Sequence, residues 1–258
     1  MITPSGGLVY HARALRGHDL WFPTRRLVSR WLETWLLSVK PEHLIVFGPS
    51  AGYLFEPGSF HSPELKRLTI VEPDILAKPL FHLRHLRSRR PHPDNRPSVT
   101  WHLSSKLLPH TSRRETDFAD FLSEASISHS GKTAVFFAGL LGQLEFHRES
   151  FRREELLARR VFLEALKPIP WASLHDLESK TLTRATAATL NSLSTELPID
   201  VLLNQTLRIQ WVEEHLQQPT DWVDHATDWL GAPTRAAHWR ITPKRLHVLG
   251  FVQTFVDR

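Results

Sequence analysis

Three short, unbroken apolar runs constrain this chain more than any other feature: Leu44-Ile45-Val46-Phe47, Leu68-Thr69-Ile70-Val71 and Thr133-Ala134-Val135-Phe136-Phe137. Runs of this length without polar alternation suit strands covered on both faces, as in a parallel sheet. Around them the period changes to that of a helix. Leu27, Val28, Trp31, Leu32, Trp35, Leu36 and Val39 recur at i, i+3 and i+4 with Arg30, Glu33 and Thr34 between them, and Pro41 stops the pattern. Further helices are expected over about 75–89, 116–125 and 149–166, with weaker strands over 99–103 and 171–174. Such alternation predicts right-handed parallel crossovers.

Beyond Lys180 the texture changes. Leu207, Trp211, Val212 and Leu216, then Trp222, Val223, Ala226, Trp229 and Leu230, form two helical stripes separated by Pro219, and Gly231 and Pro233 close the second. Tryptophans at this spacing suit a core or the apolar wall of a pocket. The segments 238–241 and 246–256 read as a hairpin across Thr242-Pro243-Lys244. The expected fold is therefore one α/β domain, a Rossmann-like three-layer sandwich. Its sheet is mostly parallel, with a C-terminal antiparallel β-hairpin and extra C-terminal helices. Residues 1–40 would form an N-terminal helical extension, 41–180 a nucleotide-binding core, 181–236 a helical cover and 237–258 the terminal hairpin.

Composition narrows the classes. With 258 residues, 41% of them hydrophobic, the chain can bury a sizeable core, which excludes a disordered or fibrous protein. No apolar run approaches the roughly 20 residues that a bilayer crossing needs, and the N-terminus lacks an apolar segment with a cleavage site, so a soluble, cytoplasmic protein with no membrane partner is expected. The absence of cysteine removes disulfides, thiolate nucleophiles and Cys-type metal sites. A net charge of +5 favours anionic partners. Arg84, His85, Arg87, Arg89, Arg90, His92 and Arg96 make the densest basic stretch. Arg84, Arg87, Arg89 and Arg90 in particular suit phosphate contacts to nucleic acid, or equally a solvated helix end.

The informative turn is Gly48-Pro49-Ser50-Ala51-Gly52, which follows the first apolar run. Small residues there let a ligand approach the backbone at the carboxyl end of a parallel strand. A dinucleotide fingerprint would need glycine at 50 and 53, where Ser50 and Tyr53 stand. The spacing instead resembles motif I of class I S-adenosylmethionine-dependent methyltransferases, with Gly48, Ser50 and Gly52 in the three glycine positions. Glu72, 20 residues beyond Gly52, stands where an acidic residue binds ribose hydroxyls. The resemblance implies S-adenosyl-L-methionine as cofactor, held by Gly48, Pro49, Ser50, Gly52, Glu72 and Asp74. It also implies that the loop 102–106, including Ser104, flanks adenine and that Ala138, Gly139 and Leu140 lie beside the methionine. The implied activity is methyl transfer to an unidentified acceptor, a small molecule or RNA. Three departures stand out: Val46 replaces a frequent acidic residue, Glu56 to Pro63 break the first crossover helix, and no Asn-Pro-Pro-Tyr follows Phe137.

Other constellations compete. His175-Asp176 follows the strand over 171–174, where a histidine with a neighbouring acid suits proton removal, or a helix cap. Gly48 to Gly52 also spells G-x-S-x-G, a nucleophile elbow with Ser50 as nucleophile and Asp224 or Asp228 with His247 as partners, although the elbow comes early and no oxyanion segment precedes it. Asp224, His225 and Asp228 with His238 and His247 match no recognised metal motif, and none is assigned. A binding protein built on a degenerate methyltransferase fold is the third reading.

Overall fold

The computed structural model describes residues 7–60, 62–86, 97–103, 132–139, 160, 162–182, 196–198, 223–224 and 230–254. Each of the three apolar runs forms a strand: β1 (His43–Phe47), β2 (Arg67–Val71) and, after β3 (Ser98–His102), β4 (Thr133–Ala138). β5 (Trp171–Thr181) completes a parallel set. β6 (Val223–Asp224) is a two-residue strand, and β7 (Arg235–Thr242) and β8 (Arg245–Gln253) form the hairpin. The sheet order is β3-β2-β1-β4-β5-β8-β7, with β6 antiparallel on β5. β8 runs antiparallel to both β5 and β7. The first five strands follow the doubly wound order, in which the winding reverses between β1 and β4 and opens a crevice at their carboxyl ends. The fold is Rossmann-like and mostly parallel.

Alternation along the buried strands divides the core into two faces. Leu44, Val46, Leu68, Ile70, Phe136, Leu174 and Phe251 face the helix α2 (His18–Val39), which inserts Trp31, Leu32, Trp35 and Leu36. Ile45, Phe47, Val71, Val135, Phe137 and Val252 face the opposite layer, where Phe162, Leu166 and Ile169 pack. α2 extends nine residues further toward the N-terminus than its apolar stripe indicates, because Trp21 packs edge-on against Trp239 with ring centroids 5.0 Å apart. It is preceded by α1 (Gly7–Arg16), with Gly17 between the two. Lys40, in the left-handed region, returns its N–H to Leu36 and ends α2 before Pro41.

The described part of the first crossover contains no helix. Pro57 and Pro63 disfavour one, and the segment instead folds as successive turns that bury Tyr53, Leu54, Phe55 and Phe60 against the α2 face. Ser29 ties it to α2, accepting the Glu56 N–H at 2.7 Å. The second crossover begins with α3 (Ala77–Phe81), which widens into a π turn over His82–Leu86.

Three boundaries differ from the sequence expectation. β5 continues to Thr181 rather than stopping at Leu174, because β8 pairs with it along its whole length. Val223 and Asp224, expected in a helical stripe, are extended because β5 outruns β4 and pairs with them there, at Ser179 and Glu178. The hairpin starts at Arg235 rather than about 238, and its second strand ends at Gln253. Among the described residues no helix is long and apolar enough to cross a membrane.

Candidate functional site

At the switch point the chain leaves β1 through a turn in which Gly48 (φ 65°), Ser50 (φ 50°) and Gly52 (φ 68°) all take left-handed backbone angles. Glycine adopts these freely; serine pays about 1 kcal/mol or more for them. The small-residue pattern thus has a steric cause. At Gly52 it has a second one, since a Cβ there would overlap the His85 imidazole. His85 is buried against Phe81, with ring centroids 4.5 Å apart, and its Nε2–H donates to the Gly52 carbonyl at 3.1 Å.

Glu72, the first residue after β2, fastens this turn. Its Oε2 accepts the Ser50 N–H at 2.7 Å, and its Oε1 accepts the Asp74 N–H at 3.0 Å. Glu72 is 5% exposed. Burial pushes its pKa up to about 7, against the pull of the Asp74 and Ser50 amides, which favour the ionised form. Sequence spacing brings Ser50 and Glu72 together but does not reveal that the carboxylate is already bonded to backbone. Asp74 is likewise engaged: Oδ1 accepts the Leu76 N–H at 2.9 Å and Oδ2 lies 2.9 Å from His11 Nε2.

The other side of the crevice is made by β4 and β5. Ala138 ends β4, and Gly139 (φ 78°) follows, with nothing among the described residues within 4 Å of where a Cβ would stand. His175 and Asp176 lie within β5 rather than in a loop beyond it. His175 is fully buried with Nδ1 3.0 Å from Ser173 Oγ. Asp176 is bonded to His247 of β8, Nδ1 to Oδ1 at 2.9 Å, with both side chains buried. The His247 ring meets Trp239 edge-on, 5.7 Å between centroids, and Trp239 in turn meets Trp21. Sequence reasoning names Asp176 and His247 but never as a pair, because the contact spans 71 residues and depends on the β5–β8 register.

The elbow reading finds a strained Ser50, but its strand is the first in chain order, and the acid that meets His247 is Asp176. Asp224 belongs to β6, and Asp228 and His225 lie outside the described residues. Arg84 lies over the Tyr53 ring, 4.9 Å from its centroid, where burial lowers its pKa. Arg87, Arg89, Arg90, Ser104 and Leu140 lie outside the described residues, as do Trp211, Trp222 and Trp229. His102, at the end of β3, gives its carbonyl to the Glu72 N–H at 3.0 Å.

Tyr10 of α1 reaches across this edge. Its ring contacts Tyr53 and Trp21, each 5.9 Å between centroids. Burial raises its pKa, and the nearby Glu72, Tyr53 and Asp176 raise it further. The phenol therefore lies in the field of both the β2 and the β5 carboxylates.

No family model and no curated protein matches the chain. Among solved structures it is similar to a SAM-dependent methyltransferase from Anabaena variabilis ATCC 29413, at 15% identity over 80% of this chain and 76% of that one, with a TM-score of 0.34. It is similar to the plantazolicin methyltransferase BpumL in complex with a monoazolic desmethylPZN analog and SAH, at 12% identity over 95% and 89%, with a TM-score of 0.36. A third is the methyltransferase domain of bacterial-CtHen1-CN, at 12% identity over 92% and 99%, with a TM-score of 0.33.

Proposed function

We propose that this protein is a divergent class I S-adenosylmethionine-dependent methyltransferase. The observation that carries the reading is the left-handed turn over Gly48, Ser50 and Gly52 at the switch point, fastened through the Ser50 N–H to the carboxylate that follows β2. Open α/β sheets bind nucleotides at this place.

The residues fit an adenosyl sulfonium better than a dinucleotide. The described crossover after Gly52 has no helix, so no helix N-terminus there faces a pyrophosphate. Among the described groups at the β1–β2 end are the carboxylates of Glu72 and Asp74, whose field favours a cation over a phosphate. Glu72 would receive the ribose hydroxyls on the lone pairs that its two amide partners leave unused. Gly139, next to Ala138, would leave room beside β4 for the methionine end. The bound cofactor would supply an electrophilic methyl carbon on a sulfonium.

On the acceptor side Asp176 takes a positioning role. Its bond to Nδ1 holds the proton on that nitrogen and fixes the tautomer and orientation of the His247 ring at the β5–β8 end of the crevice. His175 is bonded to Ser173, two residues away on the same face of β5. The acceptor itself, a small molecule or RNA, is the open variable.

The test is a thermal-shift and calorimetric titration with S-adenosylmethionine and S-adenosylhomocysteine, with NAD and ATP alongside. At a hundredfold excess over Kd the adenosyl ligands should raise Tm by roughly 5–10 °C. No shift with either, or an equal shift with NAD, would remove the assignment.

A further inference from the structure

Two arginines stand where the packing of α2 calls for apolar residues. Arg25 lies on the buried stripe of the helix, between Trp21, which donates to the Ile241 carbonyl, and Ser29, which accepts the Glu56 N–H, and it is only 6% exposed. Arg84, in the π turn after α3, is half-buried over the Tyr53 ring. The Nε of each is buried and has no hydrogen-bond partner. Among the described residues no acid makes an ion pair with either guanidinium.

The acids of the crevice are engaged elsewhere. Glu72 accepts the Ser50 and Asp74 amides, Asp74 accepts the Leu76 amide and meets His11, and Asp176 is bonded to His247. Glu56 and Asp19 act on Arg25 at a distance, without an ion pair. Burial lowers the pKa of both arginines, and the charge of Arg25 lowers that of Arg84 further. An arginine keeps its charge in a protein, so two neighbouring buried cations without a paired acid are costly until an anion meets them.

Two tyrosines tie the pair to the crevice. Arg84 packs on Tyr53 in the turn after β1, and the Tyr53 ring meets Tyr10 at 5.9 Å between centroids. Tyr10 in turn lies in the field of Arg84, Glu72 and Asp176 together. The guanidiniums therefore border the carboxyl edge of the sheet.

Charge decides which ligand suits them. S-adenosylmethionine carries a sulfonium and an ammonium against one carboxylate, so two cations oppose it as a whole while Glu72 and Asp74 favour it. A guanidinium fork matches the paired oxygens of a carboxylate or phosphate. The burial of Arg25 suits one such group rather than the repeated phosphates of RNA, which call for an exposed row of cations.

We propose that Arg25 and Arg84 form an oxyanion site for the methyl acceptor, which is thereby a small molecule bearing a carboxylate or phosphate and bound alongside the cofactor. The proposal rests on the functional reading above.

The experiment titrates inorganic phosphate and benzoate into the S-adenosylhomocysteine complex by calorimetry, at constant ionic strength, in wild type, Arg25→Gln and Arg84→Gln. Wild type should bind at least one anion saturably, with a Kd on the order of 1–10 mM, and each variant should weaken it about tenfold or more. Affinity for S-adenosylhomocysteine should stay within about threefold in both variants. No saturable binding below about 50 mM, or equal binding in wild type and variants, marks an adventitious ion only and overturns the site. Phosphate that displaces S-adenosylhomocysteine, together with a tenfold loss of its affinity in the variants, gives the pair to the cofactor's own carboxylate and overturns the acceptor assignment. Displacement of phosphate by a single-stranded RNA oligonucleotide that both variants bind about tenfold more weakly moves the pair to nucleic acid and overturns it as well. If Arg25→Gln does not fold, Arg84→Gln and the wild-type titration decide. S-adenosylhomocysteine binding without anion binding removes this proposal alone, whereas a wild type that does not bind S-adenosylhomocysteine removes both readings.

Discussion

The two ends of the crevice are built from different materials. At β1 and β2 the geometry is made by backbone: three left-handed residues and two amide N–H groups converging on one carboxylate, all within residues 48–74. At β5 and β8 it is made by side chains, an aspartate and a histidine whose meeting depends on strand register and on the tryptophans packed beside them. Backbone geometry demands particular residue types at fixed spacing and so leaves a signature in the sequence. A side-chain pair across a sheet leaves none. The contrast also suggests a division of labour in which the first end holds the cofactor and the second handles the acceptor.

The largest expected effect tests that division. Asp176→Ala removes one partner of a buried pair and should cost roughly 3–5 kcal/mol in urea unfolding, whereas Asp176→Asn keeps an acceptor for His247 and should cost less than about half of that. Neither variant, where folded, should change S-adenosylhomocysteine affinity by more than about threefold, since Asp176 stands at the other end. If calorimetry found ligand binding lost along with stability, the two ends would be one site and the comparison would fail.

Glu72 gives an effect of intermediate size with a distinctive pH dependence. Desolvation raises its pKa in the folded chain to about 7, above an ordinary value of 4.5, so the native state holds this proton more tightly than the unfolded state. Stability from this group is complete below about pH 4.5 and is lost as pH rises through about 7, an amount on the order of 3 kcal/mol. Glu72→Gln should flatten that slope, measured as the difference between wild-type and variant urea melts from pH 5 to 8. It should also weaken S-adenosylhomocysteine by about tenfold or more, because an amide is a poorer acceptor for hydroxyls than a carboxylate. Parallel pH profiles for the two proteins would mean that the carboxylate is not titrating in its folded setting.

The same contrast explains what could be read from residues alone. β1, β2 and β4 are legible because strands covered on both faces need unbroken apolar runs, and the Ser50–Glu72 approach follows from the turn and the spacing. The extension of β5 to Thr181 is not legible, since His175, Asp176, Glu178 and Lys180 are polar residues that local pattern assigns to a loop. They are buried only because β8 and β6 pair around them. Nor does α1 declare itself: His11 has no local reason to be buried, and its partners lie 42 and 63 residues away. The absence of a helix after Gly52 is legible in its prolines, but the aromatic packing of Phe55 against Phe60 and Phe136 that replaces it is not.

The smallest effect concerns Ser50, the one non-glycine among the three left-handed positions of the turn. A left-handed angle costs a serine roughly 1–2 kcal/mol, while glycine avoids that cost but loses about 0.5–1 kcal/mol of chain entropy on folding. Ser50→Gly should therefore leave stability unchanged or raise it by up to about 1 kcal/mol, a Tm rise of no more than about 4 °C. The contact to Glu72 uses the backbone N–H, which glycine keeps, so S-adenosylhomocysteine affinity should stay within about twofold. A drop of tenfold or more would instead place the hydroxyl on the ligand. Labelling of wild type by a fluorophosphonate, abolished in the variant, would make the residue a nucleophile and turn the strained turn into an elbow. Because the substitution disturbs neither the amide bond nor the core, it isolates the hydroxyl, the only chemical difference on which these readings of the turn disagree.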